Sequence, residues 1–270
     1  MDTQFLTIAG GRIAYDDTET DGPLVVCVPG YGENRTTYRH LRPLLVAAGY
    51  RVVTADVRGG GESTVGWPDY STTSVADDIV ALVRHLGGGP AVLISNSFTG
   101  GPSYVAAAAA PALFAALVLT GPLARPQPSP GVVFKIAQAV VLSSSVTWMP
   151  FWSSLFKTTK PADFAAARKA LRANLAEPGR MAAIRKAFAA SQAPGAAAAA
   201  RVTCPVLVVM GSKDPDFKDP AAEAAGVAGL VASGQVAMIE GAGHYPAAEY
   251  PSVTADVVLP FLRSTSTSAG

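Results

Sequence analysis

The sequence predicts an α/β protein: a mostly parallel, doubly wound sheet with a helical unit inserted late in the order. Three observations predict it. Short apolar runs alternate with longer segments of helical period, as a sheet covered on both faces requires. Their order is β-α-β-α over most of the chain. The alternation then breaks between Leu123 and Val202, where no strand-like run occurs.

Residues 4–8 and 11–16 alternate and read as an antiparallel edge hairpin turning through Gly10-Gly11. Buried strands follow at 24–28, 51–55, 91–95 and 113–120, with helical patterns at 38–48, 74–86 and 100–110 between them. After the break come strand 206–210, helix 220–230, strand 235–240 and helix 251–262. The tail STSTSAG is expected to fray.

The interruption opens with the proline cluster PLARPQPSPG and continues through apolar and aromatic residues 132–156. Two helical patterns, 161–175 and 178–190, each begin with Pro at or near the first turn. A structureless loop of that length is foreign to a compact domain. The expectation is therefore a helical cap over residues 123–201, set into a core of residues 1–122 and 202–270, with a dimerisation arm as the other reading of the same segment. The alanine tract 195–200 carries no functional signal.

Composition bounds the partners. The chain has 270 residues, 49% hydrophobic and 15% charged, which excludes a disordered chain. Lys+Arg 21 against Asp+Glu 20 gives a net charge of +1, with no basic run, so neither nucleic acid nor an anionic membrane surface is an expected partner. Cys27 and Cys204 lie beside apolar runs and read as buried free thiols. The first residues lack a basic region followed by an apolar one, so no secretory signal is expected and the protein reads as soluble and cytoplasmic, a monomer or homodimer. Residues 104–124 are apolar enough to suggest a membrane span, but Pro111 interrupts them and Gly121-Pro122 closes them, which suits a buried helix, a turn and a buried strand.

The chemistry concentrates at three strand ends. In AVLISNSFTGG, residues 91–101, a buried strand runs through Ser97 into a helix, the context of a nucleophile elbow. The helix dipole there favours developing negative charge. A capping serine in an ordinary strand-to-helix turn is the alternative. Of three histidines, His40 lies within one helical pattern and His85 in the last turn of another, whereas His244 sits in IEGAGHYP directly after the last strand. An open α/β sheet places its ligands at that edge. A Ser-His pair needs an acid to fix the imidazole tautomer. The loop GSKDPDFKDP after strand 206–210 offers Asp214, Asp216 and Asp219. Asp214, nearest the strand end and followed by Pro, is favoured over Asp216, and the remaining acids read as solvated or as a helix cap near Pro220.

The order Ser97, Asp214, His244 is that of an α/β-hydrolase triad. A glycine turn, Pro29-Gly30-Tyr31-Gly32, ends the first buried strand and lets the backbone approach a reacting carbonyl, so the N–H groups of Tyr31 and Phe98 are the candidate oxyanion hole. No metal-ligand spacing and no phosphate loop occurs, so neither metal nor nucleotide cofactor is proposed. Trp148, Met149, Phe151, Trp152 and Phe156 cluster in the inserted unit. Trp148, Phe151 and Trp152 are candidate substrate contacts for an apolar pocket, with packing of the cap onto the core as the other reading.

With these residues in hand, the chain resembles the α/β-hydrolase family over nearly its whole length. DVRGGGES at 56–63 is similar to the family's D-x-R-G-x-G-x-S loop, and PGYGENRTTYRHLRPLLVAAGYRVVTADVRGGGES, VMGSKDPDFKDP and GAGHYPAAEYP resemble a group of actinobacterial members of largely unassigned substrate. The sequence departs from the family at Pro29, often His, and at Ser95 and Thr99, where glycines are usual. Relatives that dehalogenate or open epoxides carry an aspartate at the elbow, and Ser97 argues against those chemistries. The resemblance implies hydrolysis of a small apolar ester, thioester or lactone. Perhydrolysis or haloperoxidation, carbon–carbon bond hydrolysis, and a non-catalytic ligand-binding role are compatible with the same constellation.

Overall fold

The structure, a computed structural model, describes residues 2–87, 89–126 and 131–266. Its first half runs β1 (Gln4–Ile8), β2 (Gly11–Asp17), β3 (Leu24–Val28), α1 (Arg42–Ala47), β4 (Arg51–Ala55), α2 (Thr72–His85), β5 (Ala91–Asn96), α3 (Gly100–Ala109) and β6 (Phe114–Thr120). Five helices follow: α4 (Val132–Val141), α5 (Ser145–Ser154), α6 (Phe164–Leu175), α7 (Arg180–Phe188) and α8 (Ala193–Ala199). The chain then returns to the sheet with β7 (Val206–Gly211), α9 (Pro220–Ala228), β8 (Gly234–Ile239), α10 (Pro246–Glu249) and α11 (Pro251–Ser266). Part of the proline cluster, residues 127–130, and the end of the tail, 267–270, lie outside the described residues.

The strand order is β1-β2-β4-β3-β5-β6-β7-β8. The β1–β2 and β2–β4 pairs are antiparallel and the remaining pairs parallel. Period-2 alternation sorts the central strands onto two faces. Val26, Val53, Leu93, Leu117 and Val208 join one apolar layer with residues of α2, α3 and α9. Val25, Val52, Ile94, Val118 and Val209 face the other, against Leu45 of α1 and Val258 and Leu262 of α11. Both cysteines are free and buried. The span 104–124 resolves into buried parts of α3 and β6.

Element starts deviate where proline or glycine intervenes. The helix expected over 38–48 divides into a 3₁₀ turn, Arg35–Tyr38, and α1, which begins at Arg42 with Pro43 in its first turn, where the missing N–H costs no helical bond. Helix α7 starts at Arg180 rather than 178, since Gly179 takes a left-handed φ of +88°. The alanine tract forms α8, which packs on α3 so closely that a β-carbon on Gly195 would stand 2.6 Å from the Gly101 Cα.

The sheet order reverses between β3 and β5. From β3 the chain crosses to β4 on one side and later to β5 on the other, which opens a crevice at the C-terminal ends of these neighbours. Register brings Val28, the last residue of β3, beside Ser95 of β5. The loop after β3 and the β5–α3 turn therefore meet at the switch point.

Candidate active site

Ser97 follows β5 directly and takes a left-handed φ of +58°, a conformation costly for a residue with a β-carbon and sustained only where surroundings enforce it. A short 3₁₀ turn, Ser97–Thr99, leads from it into α3. Ser97 is half-buried between fully buried neighbours. The departures at Ser95 and Thr99 complete this turn. Thr99 Oγ1 accepts from the Asn96 N–H at 3.1 Å and donates to the Asn96 carbonyl at 2.7 Å. Ser95 Oγ accepts from Ser103 of α3 at 2.8 Å. Buried hydroxyls with partners thus stand where glycines would leave the backbone bare.

The loop after β3 abuts the turn. A β-carbon on Gly30 would stand 2.9 Å from the Ser97 Cβ and 3.4 Å from its Oγ, so only glycine lets this backbone pass so near. Tyr31 and Phe98 are both buried, their rings edge to face at 5.0 Å. Arg35, in the same loop, pairs with the buried carboxylate of Asp56 in DVRGGGES, and its backbone N–H donates to Asp56 Oδ1 at 2.7 Å. Arg58 of that motif holds Asp78 of α2 with two bonds of 2.7 Å. Two ion pairs thereby fix the loop after β4 to its neighbours.

Asp214 and His244 lie in the loops after β7 and β8. His244 Nδ1 is 2.8 Å from Asp214 Oδ2 and 3.6 Å from Asp216 Oδ2. The second oxygen of Asp214 accepts from the Asp216 N–H at 3.0 Å. Asp219 caps α9, accepting from the Ala222 N–H. Burial disfavours the imidazolium of His244, but the adjoining carboxylates of Asp214 and Asp216 outweigh it and push the pKa up to about 9. Among the described residues, Asp214, Asp216 and His244 form one group of metal-ligand type with atoms within 4.8 Å of one another, and the Nδ1 atom is already engaged by Asp214. His40 instead faces Asp163 at 3.1 Å, and His85 the Tyr15 hydroxyl at 3.0 Å.

Further residues, outside the candidate triad and oxyanion hole, join these loops. The Asn96 side-chain amide donates to the Thr120 carbonyl at 2.9 Å and to the His244 carbonyl at 3.3 Å, connecting the turn, the end of β6 and the histidine loop. Gly121, at φ +51°, lies beneath the pair: a β-carbon there would stand 3.1 Å from Asp214 Oδ2 and 3.2 Å from His244 Nδ1. Buried Glu249 accepts from the N–H groups of Gly243 and Lys157, at 2.9 and 3.0 Å. Of these, Gly121 was visible in the sequence as a strand-closing glycine.

The aromatic cluster of α5 faces the same edge. The Trp148 indole donates to the Gly32 carbonyl at 3.1 Å, and the Trp152 indole donates to Glu33. Glu33, whose carboxyl burial pushes to a raised pKa, also accepts from Thr37 at 2.6 Å. Both tryptophans are buried, so what the structure shows of them is anchoring of α5 to the loop after β3. Phe151 is half-buried, its ring 5.1 Å from Trp148. Trp152 and Phe156 reach Tyr245, the neighbour of His244, with ring centroids at 6.5 and 5.0 Å.

A family model described as the alpha/beta hydrolase family matches residues 25–257. The chain belongs to this family. As an alpha/beta hydrolase it is 30% identical over 223 residues to a monoacylglycerol lipase of Mycolicibacterium smegmatis, covering 78% of each chain. It is 34% identical over 92 residues to the non-heme chloroperoxidase CPO-A1 of Kitasatospora aureofaciens, 34% of this chain and 33% of that protein. The chain spans about a third of the length of the first curated relatives it matches. A thermophilic esterase from Thermogutta terrifontis superposes with a TM-score of 0.78 at 25% identity, over 98% of this chain and 99% of that one. The fold of this alpha/beta hydrolase is thus shared over nearly the whole chain.

Proposed function

We propose that the protein is a serine hydrolase acting on a small apolar carboxylic ester, thioester or lactone through an acyl-enzyme on Ser97. One observation carries this reading: a serine held in left-handed backbone at the end of β5, on the sheet edge that also bears a 2.8 Å His244–Asp214 pair. In the proposed cycle His244 takes the Ser97 Oγ proton as Oγ bonds to the substrate carbonyl carbon. The N–H groups of Tyr31 and Phe98 stabilise the oxyanion, and the leaving group departs with the proton from His244. Water, deprotonated by His244, then cleaves the acyl-enzyme and restores Ser97. Asp214 holds the imidazole tautomer through Nδ1. The helices of residues 123–201 act as the cap, with Trp148, Phe151 and Trp152 bounding the apolar side of the substrate site.

The likeness to a chloroperoxidase supports a second reading, in which hydrogen peroxide replaces water in the second step and leaves as a peracid. Burst kinetics with p-nitrophenyl acetate and butyrate, run with fluorophosphonate labelling, tests the first reading. The expected result is a burst and a covalent adduct, both absent in Ser97→Ala. A folded native protein that forms neither would overturn the acyl-enzyme. Peracid formation on adding peroxide separates the second reading from the first.

A further inference from the structure

Helix α4 contributes no buried side chain. Val132, Val133, Phe134, Ile136 and Val140 are between 56% and 82% exposed. Its polar residues, Lys135 and Gln138, are three positions apart and share one face, leaving the rest of the circumference apolar. The helix is held at its C-terminal end, where Val141 and Leu142 enter the aromatic cluster of α5 and Arg185 donates to the Leu142 carbonyl at 3.0 Å. A flat protein partner covers one side of a helix. An exposed helix apolar around most of its girth suits immersion in the acyl boundary of a bilayer.

Charge points to the same partner. The net charge of +1 averages two unlike parts: residues 123–201 carry eleven Lys and Arg against two Asp and Glu, net +9, and the remaining chain carries ten against eighteen, net −8. Both acids of the inserted segment are paired, Asp163 with Arg39 and Glu177 with Arg180. Lys135, Lys169, Arg172, Arg185 and Lys186 are exposed. A cationic segment bearing an apolar helix has the two signals that reversible binding to anionic lipid requires.

We propose that α4 and the cationic segment that carries it dock this protein peripherally on an anionic lipid bilayer. Among the described residues no single helix is long and apolar enough to cross a membrane, and α4 and α5 meet at 114° with the α5 tryptophans buried in the protein, so the helix lies on the surface rather than spanning it. This departs from the expectation drawn from whole-chain charge, which could not register the partition.

Vesicle co-flotation of the full chain tests the proposal, comparing pure phosphatidylcholine with phosphatidylcholine containing phosphatidylglycerol. Flotation is expected with anionic vesicles, about tenfold or more weaker with neutral ones, and falling as salt screens the charges. Phe134→Ser with Ile136→Ser, both at exposed positions, is expected to retain the native melting temperature and lose about tenfold or more in binding. Native protein that does not float, or a double variant that floats equally well, would overturn the proposal. So would sedimentation equilibrium showing a native dimer that the double variant converts to monomer, which would assign the α4 face to a second copy.

Discussion

The side-chain amide of Asn96 donates to the backbone carbonyl of His244, although 148 residues separate them. The residue before the proposed nucleophile thereby holds the loop of the proposed base, and the same amide bonds Thr120 at the end of β6. Asn96→Ala is expected to lower kcat by about tenfold to a hundredfold with little change in KM, because a small displacement of an aligned base costs rate before it costs binding. The rate of fluorophosphonate labelling checks this. A variant that folds and labels at the native rate would remove Asn96 from the positioning network.

The raised pKa of His244 sets a direction for pH dependence. Acylation needs the neutral imidazole, so kcat/KM is expected to rise with pH as His244 loses its proton, toward about 9 in the native protein. Asp214→Asn removes the nearest charge favouring the imidazolium, and burial then dominates, so the His244 titration moves to lower pH while kcat falls by about a thousandfold or more. NMR titration of the three imidazoles reads the shift directly. Asp216→Asn, acting across 3.6 Å, is expected to move it less.

Trp148 and Gly32 are coupled by shape. Gly32 takes a φ of +82°, and a β-carbon there would stand 2.0 Å from the Trp148 ring. Gly32→Ala is expected to destabilise the protein by about 2 kcal/mol or more, combining backbone strain with overpacking. In a Trp148→Ala background only the backbone component persists, near 1 kcal/mol. Urea unfolding of the four proteins measures the difference, and additive effects would contradict the contact.

Thr99→Gly, which installs the residue common in the family, is expected to weaken this protein by about 1–3 kcal/mol. It removes the hydroxyl that satisfies the Asn96 N–H and frees the backbone at the turn. Thermal unfolding decides it. A more stable variant would show that the threonine is not what holds this turn.

The fold was legible because its signals are periodic. Alternation at 2 and 3.6 residues marked the strands and most of the helices, and the strands sort onto two faces as that alternation requires. The candidate site was legible where chemistry coincided with a strand end: Ser97 after β5, Asp214 after β7 and His244 after β8. Glu33, Asn96 and Glu249 escaped notice because each is a single polar residue that also bonds a partner far along the chain, Trp152 at a separation of 119, His244 at 148 and Lys157 at 92. Such contacts leave no period.

The aromatic residues of the inserted segment show the same boundary. Their clustering is plain in the sequence, but only the folded chain decides that the two indole N–H groups bond the loop after β3. The order of residues alone determined the doubly wound sheet and which side chains end its strands, since burial on alternating faces constrains every local choice. Tertiary structure decided which of those ends share a crevice, how near the imidazole comes to each acid of the neighbouring loop, and which apolar helix is left exposed. Those outcomes depend on strand order and on contacts between distant residues, and neither is encoded in any short stretch of chain.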